Sequence, residues 1–599
     1  MEQVKEMRIK GLDRTRNLAM TLVLLYHLFG TFCPGGFIGV NVLFVLSGFL
    51  ITYHLIPESI TKDGIDLKKF YNKRFNRIVP AVLLMVVLGL VLLVFMNSDY
   101  RVDIMRQLTG TLSFSTNWYE IASGSGYESQ FIKHIFLHTW SLGIEIHFYI
   151  VWPLVLVFLK KKIADKTVNV KIKMGKLIRR ISLFFAFVAY AFYLLGGIWS
   201  LYSTSFMYFS ELTRLLSFFV GTFVAGLVYS KKRIKIPDYI RPVCFLALIV
   251  ISFIFSYSDK SIYLIIFLLV DIISAIIILS YYFGRTRDES LFAKRLSVWT
   301  YPIYLFHWPI WVFADSIIEG NIKYLVVLMG TAIMVSFNQI VWEPFFKGKE
   351  IVKIKKKVSA NLSGAIKFTV FIGIICVGAV LQVNAPDMIK LEKDIWKQGL
   401  VANVSAMEDE KKEVDFQAGT NSSSYVDLKA DNSISVIGDS TMLAMTGYIP
   451  KHVPNTVVNA QKNRPFFKAK EIIPSLEKEG RLGKTIVTSM GVNDANYSGE
   501  KAVREVIESV PYGKRLIIVI PHNAKNPDSM LVKAMYNVAP QYNYVTIMDW
   551  NAHSKKHPEL YKGSDGVHFF DKYDAYKEYT MMLMDIHKKA LAKSAREKK

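Results

Sequence analysis

Cysteine is nearly absent from this 599-residue sequence; Cys33, Cys244 and Cys376 are the three. All fall in or beside long apolar runs, and the polar part after residue 385 has none, so no disulfide framework staples that part together. Such a composition suits a surface without strong reliance on oxidative folding, as in a Gram-positive envelope. Acidic residues are also few, 49 against 73 Lys and Arg, which leaves a formal net charge of +24. An excess of that size suits a nucleic-acid binder when it gathers on one folded face. Here it is divided among loops between apolar runs, which excludes nucleic acid as a partner. A cleavable leader is missing as well. The first apolar run is followed by further runs and by no small-residue cleavage site, so it reads as a start-transfer helix.

Apolar residues are what the chain has in plenty. Hydrophobic content is 52% and aromatic content 14%, too high for an ordinary soluble chain of this length. About eleven stretches approach the roughly 20 helical residues that cross a bilayer core. They lie near 17–33, 37–56, 79–96, 136–159, 181–199, 214–230, 242–257, 261–283, 298–315, 323–344 and 367–384. Basic residues crowd every second connection: Lys5, Arg8, Lys10, Arg14 and Arg16 before the first run, then 68–77, 160–180, 231–241, 285–295 and 347–367. Because cytoplasmic loops collect Lys and Arg, the N-terminus is expected inside and everything after the eleventh run outside. The expected parts are a ten-span membrane domain over 1–345, a basic loop and eleventh span over 346–384, a polar linker over 385–430 and an extracytoplasmic domain over 431–599. Membrane lipid is the medium of the first two.

Beyond residue 430 the pattern changes. Short β-rich runs at 434–437, 456–459, 485–489, 515–520 and 544–548 alternate with helix-like segments at 441–448, 468–478, 500–509, 528–538 and 571–592. That alternation predicts an α/β/α domain with a parallel sheet. Its first strand ends in Gly438-Asp439-Ser440, which puts a hydroxyl at the carboxyl end of a strand, where open α/β sheets hold reactive groups. Alone, such a turn is as readily a helix cap. Two further segments add weight: Gly491-Val492-Asn493-Asp494 after the third strand, with an amide able to donate to an oxyanion, and Asp565-Gly566-Val567-His568 before the last helix. A carboxylate three residues before an imidazole can hold one ring nitrogen while the other faces a hydroxyl. His553 and His557 compete for the base role, but neither has a carboxylate three residues before it.

Within the apolar half, His27, Glu145 and His307 are polar groups in expensive places, and such groups mark function more often than not. The other reading is a buried polar contact tying helices together. His27 and Glu145 are expected at similar depth, with Glu145 orienting His27. Arg16 precedes His27 by three helical turns, about 16 Å on one face. Arg16, Arg74 and Arg77 are expected at the cytoplasmic face, where guanidinium groups suit the phosphates of acetyl-CoA.

The segments Gly438-Asp439-Ser440, Gly491-x-Asn493-Asp494 and Asp565-x-x-His568 resemble the blocks of the SGNH (GDSL-like) esterase and acyltransferase superfamily, which has a flavodoxin-like fold. The resemblance implies Ser440 as nucleophile, His568 as general base and acid, Asp565 as its orienter, and an oxyanion hole from Asn493 and the Ser440 amide. Asn463 stands where that superfamily often has a glycine whose amide also donates. Residues 8–345 resemble the acyltransferase-three family of membrane proteins. The matching text is Gly11-Leu12-Asp13-Arg14 with Arg16 and His27, the run 39–52, Arg74-x-x-Arg77-Ile78-x-Pro80, Trp140-Ser141-Leu142 with Glu145 and Tyr149, Tyr301-x-x-Tyr304-Leu305-x-His307-Trp308-Pro309, and Glu343-Pro344. Departures are Asn41 for the usual aspartate, Ile146-His147 for Glu-Gln and Pro302 for serine. This resemblance implies acyl transfer by His27, Glu145, Tyr149, Tyr301 and His307.

The two modules together resemble the peptidoglycan O-acetyltransferases of Gram-positive bacteria. By that resemblance, acetyl comes from cytoplasmic acetyl-CoA, with no bound cofactor and no metal. It passes through the membrane domain and reaches the C6 hydroxyl of N-acetylmuramic acid on peptidoglycan glycan strands through Ser440. Other acceptors, such as teichoic acid or another surface polysaccharide, stay open, as does an extracytoplasmic acetyl esterase, since the same triad hydrolyses when water wins. A transporter with a surface binding domain explains the spans and leaves the Ser, Asn, Asp, His series without purpose.

Overall fold

The computed structural model describes residues 9–61, 63–123, 133–161, 163, 169–199, 204–230, 234–257, 262–285, 288–347, 360–390, 393–394, 397, 400, 426–492, 499–524, 526–562, 564–569 and 572–598. They divide into two compact units, Met1–Asp387 and Met388–Lys599.

The first unit is helical. Its long helices are α1 (Leu12–Leu28), α2 (Ile38–Ser59), α3 (Leu67–Val94), α4 (Trp140–Lys161), α5 (Val170–Trp199), α6 (Glu211–Ser230), α7 (Ile240–Ile254), α8 (Phe267–Phe283), α9 (Leu291–Ile317), α10 (Ile322–Phe337) and α11 (Ala360–Val383). Among the described residues, eight helical stretches are long and apolar enough to cross a membrane. The other three expected spans are helical but fall short of that mark. Helix α1 has 17 residues and opens on Asp13, Arg14 and Arg16, α7 has 15, and α9 carries Lys294, Arg295 and His307 among its apolar residues.

Apolar side chains meet no water on either side of a lipid-embedded interface, so close backbone approach has to hold such helices together. Glycine supplies it. A Cβ at Gly48 would lie 2.3 Å from the Phe218 carbonyl oxygen, and one at Gly221 would lie 2.1 Å from that of Val45, so α2 and α6 touch backbone to backbone. Proline does the opposite work in α9, which contains Pro302 and Pro309. Pro309 has no N–H to give the Leu305 carbonyl one turn earlier. That oxygen instead accepts from His138 Nε2 at 3.0 Å.

The second unit is an α/β/α sandwich. Five parallel strands, β1 (Ile434–Gly438), β2 (Thr456–Ala460), β3 (Thr485–Ser489), β4 (Arg515–Val519) and β5 (Val545–Met548), lie in the order β2-β1-β3-β4-β5. All five residues of β1 and of β3 are buried, as in a parallel sheet covered on both faces. One face takes α12 (Ala469–Lys478), α13 (Glu500–Glu508) and α14 (Met530–Val538) against Ile437, Ile486 and Ile518. The other takes α15 (Tyr573–Leu591) against Val436, Val487 and Ile517. Chain order reverses between β1 and β3, and that switch point opens a crevice at their carboxyl ends.

The expected helix 441–448 is broken into Ser440–Leu443 and Ile449–His452. Gly447 disfavours the helical interior, while Pro450 sits in the first turn of the second piece, where its missing N–H is harmless.

Candidate active site

Gly438 ends β1 and Asp439 caps the short helix that starts at Ser440. One Asp439 oxygen accepts from the Thr441 amide at 2.9 Å and its hydroxyl at 2.7 Å, while the other accepts from the Gly491 amide at 3.1 Å. A single carboxylate thus ties the turn after β1 to the turn after β3. Burial pushes the Asp439 carboxyl up, against the pull of these donors. Gly491 sits at φ 134°, where a side chain would be strained, and an added Cβ would come within 2.8 Å of Leu531.

Ser440 Oγ lies 2.9 Å from His568 Nε2, and His568 Nδ1 lies 2.6 Å from Asp565 Oδ2. Asp565 Oδ1 also accepts from the backbone amides of Val567 and His568 at 2.9 and 2.7 Å. Gly566 at φ 78° permits that tight turn. Burial alone would raise the Asp565 carboxyl, but the His568 hydrogen bond and charge and the two amides hold it below the usual carboxylate range. The ionised carboxylate keeps the Nδ1 proton in place, so Nε2 is the nitrogen that faces the serine. A hydroxyl held this way can pass its proton to the ring as its oxygen attacks a carbonyl. Ser440 is 0% and His568 1% exposed.

His553 and His557 lie apart from this chain of bonds, paired with Glu578 at 2.6 Å and Glu559 at 2.9 Å. Asn463 adopts φ 56°, in the left-handed region that glycine favours and asparagine tolerates. Arg464 beside it joins the ends of β1 and β2, donating to the carbonyls of Gly438 at 3.1 Å and Asn459 at 2.7 Å. Asn493, expected to donate to an oxyanion, lies outside the described residues, as does Asp494.

The helical unit gathers its expected groups in two places. His27 on α1 and His307 on α9 meet ring to ring, His27 Nδ1 2.7 Å from His307 Nε2, with the edge of Trp308 against His27 at 4.7 Å between centroids. Glu145 is elsewhere: it accepts short hydrogen bonds from Ser47 and Tyr149. This corrects the expectation that Glu145 orients His27. Glu145 faces α2 instead, through Ser47, and its own helix, through Tyr149. The Arg74 guanidinium lies over the Tyr149 ring at 4.9 Å. Arg16 donates to Ser297 Oγ at 2.9 Å and pairs with Asp13 at 3.5 Å, within electrostatic reach of Arg77, Tyr149 and Glu145. Tyr301 donates to the Ile78 carbonyl at 3.1 Å.

Sequence reasoning assigned no role to Ser47, although it lies in a quoted run, nor to a buried cluster around Arg214. Arg214 donates to Asn41 Oδ1 at 2.9 Å, Asn41 donates to Ser217 Oγ at 3.3 Å, and Ser217 donates to Asp271 at 2.8 Å. Arg214 and Asp271 were discoverable by the signal that marked His27, a charge inside an apolar run. Asn41 thus stands between Arg214 and Ser217, its amide oxygen accepting from the first and its amide nitrogen donating to the second.

A family model described as an acyltransferase domain matches residues 9–342. Among known proteins, O-acetyltransferase OatA of Staphylococcus aureus is 27% identical over 587 residues, covering 94% of this chain and 93% of the relative. The same protein from another strain of that species matches at 27% over 589 residues. Among solved structures, the C-terminal catalytic domain of Streptococcus pneumoniae peptidoglycan O-acetyltransferase A, carrying a methylsulfonyl adduct, is 28% identical. It covers 28% of this chain and 98% of that one, with a TM-score of 0.26.

Proposed function

The chain belongs to the acyltransferase-domain family, and from that premise we propose that it is a peptidoglycan O-acetyltransferase of the cell membrane. It moves acetyl from cytoplasmic acetyl-CoA through the helical unit, held by Arg16, Arg74 and Arg77 and passed on by His27 with Glu145, Tyr149, Tyr301 and His307. The N-terminus is cytoplasmic. The SGNH-like domain over 431–599 works outside, joined through the eleventh span in 346–384 and the linker 385–430. The acceptor is the C6 hydroxyl of N-acetylmuramic acid, and lysozyme resistance of the wall is the outcome. Support for the acceptor comes from the resemblance of the two-module sequence, and support for O-acetyl transfer from relatives of nearly full length.

The observation that carries the proposal is the hydrogen-bonded series Ser440, His568, Asp565 at the switch point of the sheet. Ser440 Oγ attacks the acetyl carbonyl and its proton moves to His568 Nε2. The tetrahedral oxyanion is met by the Ser440 amide, Asn493 and the Asn463 amide. His568 returns the proton to the leaving group as the acyl bond to the carrier breaks. The glycan hydroxyl then gives its proton to His568, attacks the acetyl-serine carbonyl, and Ser440 leaves with the proton restored.

A separated outer domain, residues 431–599, tests this directly. It is expected to be soluble and to hydrolyse activated acetyl esters, because every group named for that site lies within it. Failure to react with a serine-directed sulfonyl fluoride contradicts the assignment. In the same domain Asn493→Ala is expected to lower ester turnover by roughly 10²–10³-fold, the effect of losing one oxyanion donor. Turnover within threefold of the parent removes Asn493 from the oxyanion hole.

A further inference from the structure

His27 and His307 meet with no carboxylate between them, so their protons have to be placed by the groups that can only accept. His307 Nδ1 lies 3.0 Å from the Ile303 carbonyl oxygen. A carbonyl has no proton to give, so Nδ1 of His307 bears one. In a neutral imidazole the other nitrogen, Nε2, then holds a lone pair. That lone pair faces His27 Nδ1 at 2.7 Å, which makes His27 the donor and puts its proton on Nδ1. The bare, basic nitrogen of His27 is therefore Nε2.

The surroundings fix this arrangement. The two rings are nearly parallel, 10° apart, and Trp308 bars rotation of His27 from the side. His138 does not compete for either ring. Its Nε2 is engaged by the Leu305 carbonyl that Pro309 leaves free, with its ring 6.1 Å from that of His307. Glu145 is occupied by Ser47 and Tyr149. A neutral orienter also suits an apolar setting, since it fixes the tautomer without burying another charge.

We propose that His307 is the positioning residue that sets the tautomer of His27, doing in the helical unit what Asp565 does for His568 in the outer one. This rests on the reading of His27 as the base of the membrane unit. His307 itself forms no bond to substrate.

The test uses the full-length chain in membrane vesicles, with acetyl-CoA as probe, reading release of the CoA thiol and comparing His307→Leu, His307→Gln and His27→Ala. Loss of the partner that orients a metal-bound histidine typically costs about 10–100-fold, and the same size is expected here. His307→Leu is therefore expected to lower kcat by about that factor, with KM for acetyl-CoA unchanged within about twofold. His307→Gln offers a side-chain carbonyl to His27 Nδ1 and is expected to recover kcat to within about threefold of the parent. Should the Leu variant fail to reach the membrane, judged by size-exclusion chromatography of the fluorescently tagged chain, His307→Phe takes its place.

An apolar variant with parental kcat overturns the positioning role. So does a Gln variant no better than the apolar one, because rescue by an acceptor alone is what separates orientation from packing. His27→Ala distinguishes the two levels. If it keeps parental turnover, the role of His27 falls and this inference with it; if it is inactive while His307→Leu is unaffected, only the inference falls.

Discussion

Ser440→Ala is expected to lower acetyl transfer to the wall by at least about 10³-fold, since removing one member of a serine-histidine-carboxylate unit typically costs that much or more. The size follows from geometry. Ser440 supplies the hydroxyl that lies 2.9 Å from His568 Nε2, and alanine leaves that position without an oxygen to accept the acetyl group. The stability change is small by comparison. Ser440 is buried, and its replacement forfeits one hydrogen bond of about 1 kcal/mol while leaving the Asp439 ties to Thr441 and Gly491 in place. Circular dichroism and melting of the outer domain are expected to stay near the parent. Residual wall acetylation above about a hundredth of the parental level, in a variant present at parental abundance, argues against a serine acyl-enzyme.

His27→Ala is expected to stop wall acetylation as completely, yet to leave the esterase activity of the separated outer domain untouched. Two sites that handle one acetyl group in sequence give zero flux when either is lost, and the His27 and Ser440 sites lie in different units. His27 has a structural alternative, since the contact with His307 also joins α1 to α9. The control is His27→Gln, whose amide can keep a hydrogen bond to His307 but cannot act as a base near neutral pH. Ester-linked acetate persisting on the wall of cells making His27→Gln at parental level eliminates the relay and leaves the role of Ser440 standing.

The outer fold was legible because its signal is local. Each strand is a short buried run followed by a turn, so β1 to β5 fall within a residue or two of the expected ranges. The exception is the helix after Ser440, where Gly447 and Pro450 outweighed the surrounding helical pattern. Asp565 and His568 were readable because three residues of spacing already bring carboxylate and imidazole together. In the helical half the polar residues were readable one at a time and their partners were not. Which helix faces which is a matter of packing, as where Gly48 and Gly221 bring α2 and α6 together, and nothing in the spacing of His27, Glu145 and His307 records it. His27 therefore went to His307, and Glu145 to Ser47 and Tyr149. Arg214 and Asp271 carried the same signal as His27, a charge inside an apolar run, but their connection through Asn41 and Ser217 is set by packing and not by spacing.

Ester-linked acetate on purified muropeptides is the most direct measure of the proposed function, taken from cells that carry this chain, cells that lack it, and cells with Ser440→Ala in its place. Acetate on the C6 hydroxyl of N-acetylmuramic acid is expected in the first and at background in the other two, with an acetylated Ser440 peptide recoverable from the first by mass spectrometry. Equal muropeptide acetate in all three would contradict the account.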